Sequence, residues 1–237
     1  MIEKEQELLA EILDLFAQNF EDRAILRGGM VLRLLGSPRL TNDLDYVFVP
    51  YKSKKSIVDE VIKVLKTLDG VCLKHSMNSK CLRIMITRAS TTVQVEAKVA
   101  TEVRTATAST RLFSPKYRFP PRLIHVADYT VALANKMAAW NERRLIRDVY
   151  DISFYRQMNI LPDQETLMAR LSKPCYSKLV MKEDYFKGKT ERNFYDFLRE
   201  KINKLSDKDI DRELSDYLAP EEIPGLAMEI RASLVKL

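Results

Sequence analysis

The stretch that decides the fold is Arg27-Gly28-Gly29-Met30-Val31-Leu32-Arg33-Leu34-Leu35-Gly36-Ser37-Pro38-Arg39-Leu40-Thr41-Asn42-Asp43-Leu44-Asp45-Tyr46. Ile25-Leu26 before the glycines is a short apolar run. Val31, Leu32, Leu34 and Leu35 follow helical spacing until Gly36 and Pro38 end the helix. The stretch therefore reads as strand, glycine turn, short helix and second strand. Asp43 and Asp45 sit two apart in that second strand, in a run ending Tyr46-Val47-Phe48-Val49. Residues i and i+2 of a strand share a face, with Cα atoms about 6.5–7 Å apart. Two carboxylates so placed repel. A divalent cation between them removes that cost and leaves coordination sites for water and phosphate oxygens.

Gly28 and Gly29 supply the other half of a phosphate site. Lacking Cβ atoms, they let a ligand approach the backbone. They also open a helix, whose free N–H groups and positive dipole end attract anions. Amide donors opposite a pair of metal ligands suit a nucleoside triphosphate with magnesium. The same residues also read as a Gly-Gly hairpin with two solvated aspartates at a strand edge.

Arg27-Gly28-Gly29 followed by Thr41-Asn42-Asp43-Leu44-Asp45-Tyr46 resembles motif one of the AbiE-type (AbiEii/AbiGii) toxin nucleotidyltransferases, which belong to the DNA polymerase β-like nucleotidyltransferase superfamily. The family pattern is a basic residue, Gly-Gly, usually Thr, an apolar helix, then Ser/Thr-x-Asp-Leu-Asp with an aromatic. Arg27 stands where Lys is commoner, and Met30 replaces the usual Thr, removing a hydroxyl that can contact phosphate or base.

A second stretch extends the resemblance. Asp128-Tyr129-Thr130-Val131-Ala132-Leu133-Ala134-Asn135-Lys136-Met137-Ala138-Ala139-Trp140 reads as a helix capped near Asp128, residues 141–144 as a polar turn, and 145–155 as the next helix. Lys136 lies deep in the Ala-rich helix, either snorkelling from the core or reaching into a site. The family shows Ala-x-Lys on one helix, a basic turn, and Arg-Asp-x-x-Asp on the next. By that resemblance Lys136 contacts the triphosphate, and Arg147, Asp148 and Asp151 support the site or contribute to its chemistry. Asp148 and Asp151 share a helix face. The alternative is an Arg147–Asp148 ion pair that merely holds the helices together.

Residues 91–99 alternate: Val93, Val95, Ala97 and Val99 on one side, Gln94, Glu96 and Lys98 on the other. If this strand lies beside the aspartate strand, Glu96 completes a carboxylate triad with Asp43 and Asp45. The resemblance then implies a metal ligand or general base that activates the attacking hydroxyl. The alternative is a solvent-facing Glu at a strand edge.

Elsewhere the chain reads as scaffold. Residues 3–20 form an amphipathic helix, with Leu8, Leu9, Ile12, Leu13, Leu15 and Phe16 as the apolar stripe. Residues 52–68 form a second helix with a lysine-loaded face, and 71–75 with 80–88 a hairpin, beside whose turn His75 reads as solvent-facing. Residues 100–120 read as irregular strand and loop. Pro120-Pro121 breaks regular structure and marks a domain boundary. Beyond Pro162, segments 164–171, 191–205, 207–218 and 224–235 read as helices. Tyr176, Tyr185, Phe186 and Phe194 read as core aromatics or, among lysines, as base-stacking platforms.

The 237 residues are 46% hydrophobic and 30% charged, as in a soluble globular protein, and no apolar run is long enough to cross a bilayer. The first residues are acidic and lack the basic start of a signal peptide. Cys72, Cys81 and Cys175 make neither a disulfide framework nor a zinc pattern, which fits a reducing cytoplasm. Charge is uneven: net −4 over residues 1–50, +11 over 51–150 and −1 over 151–237. A clustered basic surface favours polyanions, although charge runs are commonly solubilising.

The expected architecture is α+β. A polymerase β-like core, a small mixed sheet flanked by helices, spans 1–120, and a helical C-terminal lobe spans 121–237. The expected chemistry is in-line transfer of NMP from an NTP to an acceptor hydroxyl. Asp43, Asp45 and Glu96 hold Mg²⁺ or Mn²⁺. Arg27, Gly28, Gly29, Lys136 and Arg147 bind the nucleotide, and Glu96 or Asp148 activates the acceptor. The resemblance further implies a toxin of a bacterial toxin–antitoxin or phage-defence pair with a cognate antitoxin, acting on RNA such as the 3′ end of tRNA. Alternatives are an inactive nucleotide- or RNA-binding module, a transferase that nucleotidylates a protein, and a plain protein-interaction domain.

Overall fold

Period-two alternation gives one sheet two unlike faces. The computed structural model describes residues 2–173, 186 and 190–235, and divides them between two units, Met1–Ala127 and Asp128–Leu237. In the first unit the elements run α1 (Ile2–Phe20), β1 (Ala24–Arg27), α2 (Gly29–Leu34), β2 (Asp43–Phe48), α3 (Lys55–Leu65), β3 (Val71–Met77), β4 (Leu82–Arg88), β5 (Thr91–Val99), β6 (Thr105–Ser109), α4 (Ser114–Tyr117) and β7 (Leu123–Ala127). The strands form one seven-stranded sheet in the order β3-β4-β5-β2-β1-β7-β6. β2 runs parallel to β5 and β1 parallel to β7; the other neighbours are antiparallel.

One face is apolar. Leu44, Tyr46 and Phe48 of β2 align with Val95, Ala97 and Val99 of β5, and Ile84 and Ile86 of β4 continue the layer. α1 covers it with buried Leu8, Leu9, Ile12, Leu13 and Phe16. The rings of Phe16 and Phe20 meet Tyr46 and Phe48 at centroid distances of 4.9–6.2 Å. Such tilted and edge-on pairs add to the energy of area burial. Burial drives the Tyr46 phenol well above its usual pKa, so it stays neutral within the layer. Arg88 clamps Glu11 at 2.8 and 2.6 Å, tying α1 to β4. The opposite face carries Asp43, Asp45, Gln94, Glu96 and Lys98.

Two features differ from the sequence expectation. Residues 100–120 contain β6, and residues 123–127, past the prolines, form β7, which pairs with β1 and β6. Pro120-Pro121 thus interrupts the sheet-forming part of the chain, and the units divide at Ala127/Asp128. Each strand is only five residues long, too short for alternation to stand out.

The second unit is helical: α5 (Tyr129–Arg143), α6 (Ile146–Gln157), α7 (Gln164–Leu171), α8 (Glu191–Asn203), α9 (Asp207–Leu214) and α10 (Leu226–Leu234). Asp128 caps α5 through the Thr130 and Val131 amides at 3.0 and 3.2 Å. α5 runs on to Arg143 and ends at Arg144 in the left-handed region, so the polar turn is shorter than expected. Phe186 and Phe194 are buried and meet edge-on at 5.3 Å, with Phe194 edge-on to Trp140 at 6.3 Å. Both are core rings. Cys175, Tyr176 and Tyr185 lie outside the described residues. Among the described residues no helix is long and apolar enough to cross a membrane.

Truncating Phe48 removes a ring from the α1–sheet layer. Phe48→Ala should lower unfolding stability by about 3–5 kcal/mol in a urea titration, whereas removal of the exposed Leu123 side chain should change it by less than about 0.5 kcal/mol.

Candidate active site

Gly28 holds φ +80°, a conformation that L side chains rarely adopt, and a Cβ there would overlap Oδ2 of Asp45. A Cβ on Gly29 would lie 3.0 Å from Arg39 Nη2 and 3.0 Å from Thr41 Oγ1. The glycine pair therefore makes room first for the protein's own side chains: the Asp45 carboxylate sits over Gly28, and the chain before β2 sits over Gly29. Helix α2 spans six residues, so its axial dipole is short. The connecting loop is pinned at several points. Arg33 Nη1 donates to the Ser37 and Pro38 carbonyls at 2.9 and 3.1 Å, and Gln6 donates to the Thr41 carbonyl at 2.6 Å. Thr41 Oγ1 then donates to Asp43 Oδ1 at 2.8 Å and fixes that carboxylate.

Asp43 and Asp45 lie on the polar face of β2, and the register sets their neighbours. Asp43 stands opposite Gln94 and Asp45 opposite Glu96; Arg27 of β1 faces Asp45 from the other side. Glu96 is in turn opposite Arg83 of β4. One row across four strands thus reads Arg27, Asp45, Glu96, Arg83. Arg83 donates Nε–H and Nη2–H to Glu96 Oε1 at 3.1 and 2.7 Å, and Gln94 donates to the same oxygen at 3.1 Å. The Cys81 thiol also hydrogen-bonds the Glu96 carboxylate. Lys98 lies two residues along on the same face. Burial pushes its pKa down, Arg27 adds to the shift, and Asp45 and Glu96 oppose it.

The helical unit holds a separate charged centre. Asp148 and Asp151 of α6 are fully buried. Lys136 of α5 bonds Asp151 and lies 3.7 Å from Asp148. Arg143 clamps Asp148 through Nε and Nη2, at 2.6 Å each. The partner of Asp148 is therefore Arg143, one helix back, while Arg147 makes no hydrogen bond or ion pair among the described residues. Lys136 is oriented by two carboxylates, with 19% of its side chain exposed.

The sequence model of the AbiEii nucleotidyltransferase toxins, of type IV toxin–antitoxin systems, matches residues 11–226. The chain belongs to this family. Two solved structures share its fold. MenT4, a nucleotidyltransferase toxin of Mycobacterium tuberculosis, is 14% identical, with a TM-score of 0.58 over 97% of this chain and 82% of that one. JHP933 from Helicobacter pylori is 13% identical, with a TM-score of 0.53 over 97% and 90%. No curated protein matches by sequence.

As an AbiEii member the chain is a nucleotidyltransferase, an enzyme of NTPs paired with an antitoxin. Its sheet brings Arg27, Gly28, Gly29, Asp43, Asp45 and Glu96 to one face; Lys136, Asp148 and Asp151 meet within the helical unit. Among the described residues no three His, Cys, Asp or Glu side chains converge to hold a metal ion, so the expected triad of Asp43, Asp45 and Glu96 is not assembled, and Glu96 pairs with Arg83. Asp43 and Asp45, on the same face two residues apart, would suit a divalent cation that takes one or two carboxylates and completes its shell with water and substrate phosphates. Two residues beside the aspartates carried no strong sequence signal, whereas Thr41 stands at the Ser/Thr position of the family pattern. Arg39 acts through the shape of a loop. Lys98 showed only as a polar position in an alternating strand.

Gly28→Ala should displace Asp45 or strain the backbone, lowering stability by about 1–3 kcal/mol in thermal unfolding and depressing nucleotidyl transfer further than the stability loss explains. Lys136→Met leaves Asp151 buried without its cation and should cost about 3 kcal/mol or more by denaturant titration.

Proposed function

We propose that this toxin transfers a nucleoside monophosphate from an NTP to an RNA hydroxyl, the 3′ end of tRNA being the preferred acceptor, with Mg²⁺ or Mn²⁺ held by Asp43 and Asp45. The observation that carries the reading is the aspartate pair on the polar sheet face, with Asp45 seated over Gly28 and Asp43 fixed by Thr41. When bound, the cation supplies charge neutralisation to a triphosphate oxygen during in-line displacement.

The chain's own side chains do the rest. Thr41 and Gly28 set the two carboxylates before substrate arrives, so little reorganisation accompanies the reaction. Arg27 and Lys98 place positive charge beside Asp45, where the phosphates gather. Glu96, oriented by Arg83 and Gln94 through Oε1, accepts the proton of the attacking hydroxyl. The alpha phosphorus gains the bond to the acceptor oxygen as the bond to pyrophosphate breaks. Met30 is fully buried, so a methionine here fills core rather than touching the base. Asp148 and Asp151 orient Lys136 and are positioning residues.

The test is incubation with labelled NTPs, Mg²⁺ and total RNA. Label should enter RNA of tRNA size, require the divalent cation, and fall at least about a hundredfold in Asp45→Asn. Lys136→Arg should keep stability yet lose transfer, since it preserves the charge that the aspartates need but not the ammonium. Label entering protein instead, or transfer that survives chelation of divalent cations, would replace this reading.

A further inference from the structure

The polar face does not end at Glu96. In register with Asp45 and Glu96 come Arg83 of β4 and Ser76 of β3; in register with Asp43 and Gln94 come Met85 and Lys74. The next row holds Thr92, Thr87 and Cys72, with the two threonine hydroxyls 3.0 Å apart. Cys72, Lys74, Ser76 and Arg83 are exposed. α1 lies against the other face and packs with α3. The β3–β4 hairpin, residues 71–88, carries four basic side chains, Lys74, Lys80, Arg83 and Arg88, and no acidic one. Arg88 points to the covered side and pairs with Glu11. Lys74 and Lys80 form no ion pair among the described residues, and Arg83, though bound to Glu96, stays half-exposed.

We propose that this hairpin face is the track along which a single RNA strand lies as it leads to the aspartates. Three strand spacings separate Asp43 from Lys74, about 14 Å, so the track is continuous with the candidate active site. Its polar side chains are the cations Lys74 and Arg83 and the hydroxyls of Ser76, Thr87 and Thr92, with Lys80 in the turn at its end, a set complementary to phosphate and ribose. It presents no aromatic ring, so it holds the backbone rather than the bases, and the contact is sequence-independent. The proposal rests on the RNA-acceptor reading above.

The experiment compares two double variants with equal charge loss: Lys74→Gln/Lys80→Gln on the hairpin, and Lys63→Gln/Lys66→Gln on and just after α3. The probe is a fluorescein-labelled oligoribonucleotide, its affinity read by anisotropy across salt concentrations, beside the KM for NTP. The hairpin variant should bind several-fold more weakly at 0.1 M salt. Its slope of log K against log salt should flatten by about 1.4, at about 0.7 per phosphate contact. Its KM for NTP should not move, and the α3 variant should match wild type. Equal losses in both variants, or none in either, overturn the track, as does a wild type that binds no RNA. RNA binding that depends on Lys74 and Lys80 in an enzyme that labels no RNA upholds the hairpin as an RNA-binding face but overturns RNA as the acceptor and the lead to the aspartates.

Discussion

Two carboxylates on adjacent parallel strands, Asp45 and Glu96, stand in register, and like charges directly opposite one another are unfavourable. The structure makes this tolerable by flanking the pair with guanidinium groups: Arg27 stands across from Asp45 and Arg83 binds Glu96. The row alternates in sign at its ends and concentrates negative charge at its centre. Arg27 and Lys98 stand at the margin of that centre, where Arg27 and the two carboxylates act on the Lys98 ammonium. The opposite face of the same strands carries no charge along this stretch and holds the sheet against α1. Every residue of the charged row is therefore positioned by the apolar contacts behind it.

The glycine pair shows how a substrate motif serves the fold first. The absence of Cβ atoms at Gly28 and Gly29 suits close approach of a ligand. In the structure the same space admits Asp45, Arg39 and Thr41. The carboxylates are thus seated by the chain itself before any substrate is bound. Thr41, in the Ser/Thr position of the family pattern, has a mechanical role: its hydroxyl holds Asp43 in one orientation.

The helical unit handles charge differently. Asp148 and Asp151 are wholly buried, where an unpaired carboxylate is costly. Lys136 and Arg143 divide the work of neutralising them. An ion pair of this kind is weak evidence for extra stability, but it fixes the direction of every group in it.

The sequence alone determined the local patterns. Alternation in residues 91–99 and 43–48, the stripe of α1, the Asp128 cap and the Gly28-Gly29 turn follow from nearest-neighbour periodicity and from backbone preferences that act over a few residues. Glu96 beside the aspartates was legible as a condition: the alternation showed its face, and the family pattern supplied the neighbouring strand. Tertiary structure decided the rest. The pairing of β7 with β1, the choice of Arg83 for Glu96 and of Arg143 for Asp148, and the seating of Asp45 over Gly28 each depend on which distant segments become neighbours. Register and ion-pair choice are set by packing between segments tens of residues apart, and a one-residue shift would turn every side chain of a strand to the other face.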